Sequence, residues 1–353
     1  MRRARQGNGL KLVWAVYNNK SNMAEQPDSQ PRRIDIRTLA KECGYSVGTV
    51  SMALNGNPMV RKSTAETILS KARELGYVPN IIAQLIATKS SGAVGVMVPN
   101  SLPPLFPSIV YGIHHGFEKV GQRAFVVYSL DDPESELYFL KVFGQLRVSG
   151  LIAATCPGSK AQAELGMLRQ QGVRIVTIDR FLPGFNTDHC GFDHRGQARE
   201  LTEFLLEQGH KRIAVAGAVL SYSTIDERKE GFWEAMTAAG LSRSSYLEID
   251  LEYDDSPVRY DEHDRNVRKL LDFLGGVQPT ALVLAHDALL SSVREAAAQL
   301  GLRIPEDLRV FSFDNLHTAE VGPSGVANAY GPGVELGRRS AQLLLDRIAE
   351  EKE

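Results

Sequence analysis

The sequence predicts a multidomain chain: an N-terminal all-α domain built on two short helices about a glycine turn, followed by an α/β body of doubly wound parallel sheets. Three observations predict it. Two short helical patterns flank a glycine within residues 36–55, charge is split between a basic head and an acidic remainder, and strand and helix patterns alternate from Gly92 onward.

The first helical pattern places Leu39, Ala40 and Cys43 on one face. Gly44 follows, a residue free to take the left-handed conformation that ends a helix. Ser46 suits the N-cap of a second helix, whose Val50, Ala53 and Leu54 again share a side. A helix-turn-helix has this form, with its second helix entering the DNA major groove. An ordinary αα-hairpin would show the same apolar periodicity, so these residues alone leave both open. A third helix fits 63–75, opened by the capping-box pattern Ser63-Thr-Ala-Glu66 and stopped by Gly76.

Net charge is only −2, yet residues 1–91 carry 14 Lys/Arg against 6 Asp/Glu, a balance of +8, and the rest carries 26 against 36, or −10. A basic module joined to an acidic body gives such a split. Part of the excess comes from Arg2, Arg3 and Arg5 in the N-terminal tail. The cysteines, Cys43, Cys156 and Cys190, form no Cys-x-x-Cys pair. That pattern implies neither a disulfide framework nor a zinc site, and fits a reducing cytoplasm. No apolar run nears the roughly 18 residues of a membrane span. Residues 1–31 are expected to be a disordered extension. Arg2-Arg-Ala-Arg5 before the apolar residues 10–17 mimics a signal peptide, but that core is short, contains Lys11 and lacks a small-x-small cleavage site. Translation is expected to start at Met23, leaving 1–22 untranslated.

In the body, strands are expected at 94–98, 124–128, 150–154, 174–178, 212–216, 246–249, 280–285 and 309–313. Amphipathic helices are expected at 107–120, 134–147, 161–171, 196–208, 224–239, 261–274 and 288–300, with a last one at 334–350. Continuous apolar strands in βα units imply parallel sheets covered on both faces, and this strand number suits two sheets better than one. Ligands of such sheets bind at the carboxyl ends of the strands.

Several separated motifs then carry a resemblance. They are Val47-Gly-Thr-Val-Ser51 with Leu54-Asn-Gly56, Leu75-Gly-Tyr-x-Pro-Asn80, Ile178-Asp-Arg180, Gln208-Gly-His-Lys-Arg-Ile213, Glu227-Arg-x-x-Gly231 and Phe313-Asp314. In order and spacing the chain, from about Ile36 to its C-terminus, resembles the LacI/GalR family of bacterial transcription regulators. The resemblance implies a periplasmic-binding-protein-like body whose chain crosses between lobes near Gly191, Leu316 and Tyr330-Gly-Pro332, the last helix returning to the first lobe. The expected domains are 1–31 (extension), 32–79 (helix-turn-helix), 80–91 (hinge helix and linker) and 92–353 (effector-binding and dimerisation).

For DNA, the resemblance places Val47, Gly48 and Met52 toward the bases. Relatives often carry a hydrogen-bonding residue at the second of these positions and an Arg at the third. Gly and Met cannot form a bidentate contact to guanine, so thymine methyls and DNA shape must contribute more. Simple packing of Val47 and Met52 is the structural alternative. Ser46, Thr49, Ser51 and Asn55 suit phosphate contacts. Residues 80–88 resemble the family's hinge helix, beginning at Asn80. Ile86 stands at the apolar minor-groove wedge, and Ala83 permits close approach of two hinge helices.

For the effector, the resemblance points to Asn100 after the first body strand, Phe106 of Pro103-Pro-Leu-Phe106, Arg228 of the Glu-Arg-x-x-Gly motif, Asp287 beyond 280–285 and the stacking aromatic Tyr253, with Arg180 and Tyr222 in support. A guanidinium fork suits vicinal hydroxyls or a carboxylate. Carboxylate, guanidinium and aromatic together describe a sugar or polyol pocket. The structural alternatives are a surface ion pair of Arg228 with Asp226 or Glu230, and an N-cap role for Asp287.

The expected function is a repressor whose operator affinity is set by a small molecule, a sugar or sugar derivative, bound between the lobes. The expected partners are double-stranded operator DNA, that effector and a second copy of the chain in a homodimer, with no cofactor, no metal and no membrane. A sugar transporter's solute-binding protein is the alternative with the same clamshell. An enzyme is not expected: the chain has no Gly-x-Gly-x-x-Gly after a strand, no Walker loop and no nucleophile elbow. The His114-His115 pair has no Glu partner at metal-ligand spacing.

Overall fold

The computed structural model describes residues 34–54, 56–78, 91–99, 105–156, 160–219, 222–243, 247–252, 261–313, 326–329 and 332–350. The extension 1–31 and the start proposed at Met23 lie outside these residues. So do Asn55, Asn80, Ala83, Ile86, Asn100 and Tyr253. The chain divides into two compact units, Met1–Asn80 and Ile81–Glu353.

In the first unit, α1 (Ile36–Cys43) starts at Asp35, whose carboxylate accepts the Thr38 N–H at 2.8 Å. It ends at Gly44, φ 72°, the left-handed stop expected from the sequence. Ser46 then caps α2 (Val47–Leu54), its Oγ accepting the Thr49 N–H at 3.1 Å. The third helix corrects an expectation. Helix α3 (Lys62–Glu74) begins one residue before the capping box, and Arg61 occupies the N-cap without a side-chain bond. Ser63 instead lies inside the first turn, where its carbonyl accepts the Thr67 hydroxyl at 2.9 Å. Packing sets this helix start more than cap chemistry does, because Ile68 and Ala72 join Leu39, Ala40, Val50 and Ala53 in one core while Val60 packs beside them. Leu39, Val50 and Ile68 are fully buried, each contributing about 1.5–3 kcal/mol.

Among the described residues the second unit holds two five-stranded sheets, every pairing parallel. The first-lobe sheet has the order β2-β1-β3-β4-β5, from β1 (Ala93–Val98), β2 (Arg123–Tyr128), β3 (Gly150–Ala153), β4 (Arg174–Ile178) and β5 (Asp188–Cys190). The second is β10-β9-β8-β6-β7, from β6 (Ile213–Ala218), β7 (Glu248–Leu251), β8 (Ala281–Leu284), β9 (Arg309–Phe313) and β10 (Val326–Ala329). Each lobe thus repeats one doubly wound order, with its second strand at one edge.

Alternation along the strands explains the layers. In the first lobe Val94, Val96 and Val98 face α4 (Leu105–Glu118) and the C-terminal α11 (Gly333–Glu350). Met97, Leu151 and Ala153 face α5 (Pro133–Gln145) and α6 (Ala161–Gln170). In the second lobe Ala214, Leu282 and Val310 face α9 (Asp261–Val277) and α10 (Leu290–Gln299). Ile213, Val283 and Phe311 face α7 (His194–Glu207) and α8 (Ser223–Ala238).

Two close helix crossings need glycine. A Cβ on Gly337 of α11 would lie 2.0 Å from the Ile109 carbonyl oxygen of α4, and one on Gly231 of α8 would lie 2.0 Å from the Arg195 oxygen of α7. The glycine of the Glu-Arg-x-x-Gly motif is therefore a helix-packing residue.

The chain leaves the first lobe after β5, at Gly191, and Leu336, Ala341 and Leu344 of α11 return to the first-lobe core. The crossing near Leu316 lies outside the described residues, as do Tyr330 and Gly331. Sequence reading missed β5 and β10, short strands at the sheet edges. Strand β7 begins at Glu248, two residues later than the periodicity indicates, where its register on β6 puts Leu251 into the core. Before α10 a 3₁₀ turn, Asp287–Leu289, is capped by His286, which accepts the Ala288 N–H at 3.1 Å. Asp287 is thus not the N-cap. No helix among the described residues is long and apolar enough to cross a membrane.

Candidate functional site

Helix α2 is anchored through Val50 and Ala53, both buried, which leaves its N-terminal half turned outward. Val47 is 42% and Met52 36% exposed, so packing does not account for either. Gly48 is exposed too, and the nearest atom to a Cβ built there is the Ser46 Oγ at 3.8 Å. The fold therefore does not require glycine at this position. Ser46 and Thr49 are tied to each other, hydroxyl to hydroxyl, at 2.9 Å. The bond fixes the first turn and aims both oxygens outward with it. Burial of the Asp35 cap is negligible, and the Thr38 backbone N–H holds its carboxyl below the usual range.

In the α/β unit, five of the seven residues expected to face an effector are described, and they fall into two buried groups. The first joins the lobes. Arg180, just beyond β4, forms a bidentate ion pair with Asp131, which follows β2; the Arg180 Nη2 to Asp131 Oδ2 distance is 3.1 Å. The guanidinium carbon lies 4.3 Å from the Tyr222 ring centre and 5.5 Å from that of Phe106. From the second lobe the Tyr222 hydroxyl reaches Asp131 Oδ2 at 3.4 Å, and the Ser223 hydroxyl accepts the Phe181 N–H at 2.9 Å. Burial opposes the charge on Arg180, but the Asp131 carboxylate outweighs it and raises the guanidinium pKa.

A tight turn presents this arginine. Asp179 has φ 61°, and the Arg180 N–H bonds the Ile178 carbonyl at 2.7 Å. Buried His194, at the start of α7, places Nε2 3.4 Å from Asp179 Oδ1. Deeper in the first lobe the Cys156 thiol donates to Glu136 at 3.0 Å, and burial followed by that carboxylate pushes the thiol pKa far up.

The second group belongs to the second lobe. Arg228 is 3% exposed, donates to the Ala285 carbonyl at 2.7 Å and lies 4.5 Å over the Phe313 ring. Its burial takes Arg228 away from the surface, and Glu230 pairs with Arg243 at 3.1 Å. Asp287, 1% exposed, accepts the Ser312 hydroxyl. Phe106, Arg180, Tyr222, Arg228 and Asp287 thus all stand at the carboxyl ends of strands or on the helices that follow, where doubly wound sheets take ligands.

Sequence reasoning missed Asp131 and Ser312, and named Phe313 only as part of the Phe313-Asp314 motif. The doublet Asp131-Asp132 before Pro133 held the signal, because only Asp132 is needed to cap α5 and it does so through the Ser135 N–H at 2.8 Å. The histidine pair lies on α4, where His115 meets Glu118 at 3.5 Å as an i,i+3 surface contact. No group of His, Cys, Asp and Glu suited to a metal ion occurs among the described residues.

Residues 35–80 match the model for bacterial regulatory proteins of the lacI family, and residues 202–353 match a periplasmic binding protein-like domain. The chain is 29% identical over 323 residues to the HTH-type transcriptional repressor PurR of Haemophilus influenzae, covering 90% of this chain and 92% of that one. Among solved structures, a transcriptional regulator CelR–cellobiose complex is 26% identical with a TM-score of 0.64, covering 90% of this chain and 94% of that one. A LacI-family regulator from Silicibacter pomeroyi is 25% identical with a TM-score of 0.70, covering 90% and 93%.

Proposed function

We infer, for a chain that belongs to the lacI family of bacterial regulatory proteins, that α2 reads operator DNA and that the cleft at the strand ends binds the controlling effector. The protein is a transcriptional repressor with a small-molecule effector, and not an enzyme. The observation that carries the assignment of α2 is its orientation. Val50 and Ala53 hold the helix from behind while Val47, Gly48 and Met52 remain free for base edges. Ser46, Thr49, Ser51 and Asn55 take phosphates. The hinge 80–91 follows the reading domain 32–79, with Asn80 at its start, Ala83 at the approach of two hinge helices and Ile86 as the minor-groove wedge.

The effector is a sugar or sugar derivative, bound by residues of the unit 92–353. Arg228 and Asp287 supply a donor fork and a hydroxyl acceptor. Phe106, Tyr222 and Tyr253 supply ring faces, and Asn100 and Arg180 complete the polar set. Aromatic planes beside paired donors and acceptors suit a ring with hydroxyls around its rim.

The repressor works as a homodimer, which a palindromic operator requires. Edge strand β2 supports a second copy in the first lobe, since Phe125, Val126 and Tyr128 are left 36–41% exposed and an uncovered apolar edge invites pairing. Action on operator DNA locates the protein in the cytoplasm.

Gel-shift titration with operator selected from random duplexes tests the reading function. Ile86→Ala is expected to weaken binding markedly, and unchanged affinity removes the wedge. Calorimetry against monosaccharides and uronic acids tests the effector class. Binding of a purine or amino acid with no sugar bound would replace the sugar reading.

A further inference from the structure

We propose that Asp131 is a specificity-determining residue of the cleft: by holding Arg180 it commits the site to a polyhydroxylated ligand without net negative charge. This rests on the effector reading above and narrows it.

The backbone is strained to deliver this carboxylate. Leu130 and Asp131 both have positive φ, 57° and 53°, in the left-handed region that Asp enters readily but a residue such as Leu130 avoids. Leu130 gains no burial from it, being 64% exposed. Nor is Asp131 a cap, since Asp132 serves α5. What the turn does accomplish is to bury the Asp131 side chain, 6% exposed, against Arg180.

Three donors then converge on one carboxylate, the two terminal nitrogens of Arg180 and the Tyr222 hydroxyl. An ionised carboxylate offers about four lone-pair sites, so room remains for a ligand hydroxyl. A ligand carboxylate or phosphate bound at Arg180 would have to share the guanidinium with Asp131, which brings two anions onto one buried cation. The surrounding charge acts in the same direction. Among the described buried side chains near the strand ends, the carboxyl groups of Asp131, Glu136, Asp179 and Asp287 outnumber the guanidinium groups of Arg180 and Arg228.

Thermal-shift titration of the full chain decides the matter, with glucose, galactose and ribose, with glucuronate, galacturonate and glucose 6-phosphate, and with sulfate as a bare anion. The wild type is expected to respond to a neutral sugar and to neither the acids nor millimolar sulfate. Asp131→Asn is expected to gain about tenfold or more in apparent sulfate affinity, and the added Arg180→Gln change to abolish that gain. Stabilisation of the wild type by an acid in preference to its neutral counterpart overturns the proposal. So does a folded Asp131→Asn, judged by near-ultraviolet circular dichroism, that ignores sulfate. If no sugar stabilises the wild type, the sugar reading fails alone and the sulfate arm still decides Asp131. If Asp131→Asn does not fold, the wild-type response decides, with indifference to acids and sulfate supporting the assignment and a response overturning it.

Discussion

In the helical unit the proposed reading residues lie outside the core, with Val47 and Met52 exposed and only an ordinary contact to Ser46 at Gly48, whereas in the α/β unit Arg180, Arg228 and Asp287 are buried and bonded. The contrast teaches how each site can change. A reading face built from groups the fold does not need can be rewritten at little cost in stability. A ligand site built from interlocked buried charges cannot, because each residue also satisfies its neighbour.

The largest expected effect breaks the second half of that contrast. Asp131→Ala leaves the Arg180 guanidinium buried without its carboxylate and is expected to destabilise the α/β unit by about 3–5 kcal/mol. Urea denaturation measures it, and a loss below about 1 kcal/mol would mean that water or another acceptor replaces the carboxylate. Next comes the scaffold. Gly337→Ala drives a methyl to 2.0 Å from a backbone oxygen, with an expected loss of about 3 kcal/mol from overpacking, read by the same titration.

Smaller effects sharpen the first half. Met52→Ala is expected to leave stability within about 0.5 kcal/mol while weakening operator binding by about 1 kcal/mol through lost apolar contact, measured by fluorescence anisotropy. Gly48→Ala should stabilise α2 by about 0.5–1 kcal/mol, because alanine restricts the unfolded chain; slower amide exchange in α2 is the readout. The smallest concerns pH. The Asp35 carboxyl is held below its ordinary value of 3.8 by the Thr38 N–H. A depressed pKa contributes stability that is present above the unfolded value and lost as pH falls through the folded one. Amide protection at the start of α1 should therefore fall in acid below pH 3.8, and Asp35→Asn should flatten that dependence.

Much of this architecture was legible because its signals are local. Gly44 and Gly76 stop helices at φ 72° and 63°, Ser46 caps α2, and the apolar runs of β1, β6 and β8 announce strands buried on both faces. Strand β5, three residues with the sequence Asp-His-Cys, carries no such run, since the neighbouring β4 and α11 hold it in place. Arg180 and Arg228 were legible from motifs, but their burial and ring contacts were not. Asp131 escaped notice because its partner is 49 residues away, and nothing local marks a carboxylate that folds back on an arginine. Gly231 was read only as part of a motif, while its role depends on the Arg195 backbone of another helix.

Selecting duplexes from a random pool with the full-length chain and with Met52→Arg tests whether this regulator reads DNA through the exposed and largely apolar face of α2. The wild type is expected to enrich a palindrome with thymine at the base pairs facing Val47 and Met52. Met52→Arg is expected to enrich the same palindrome with guanine substituted at one symmetric position. No palindromic enrichment, or an identical sequence from both proteins, would contradict that mode of reading.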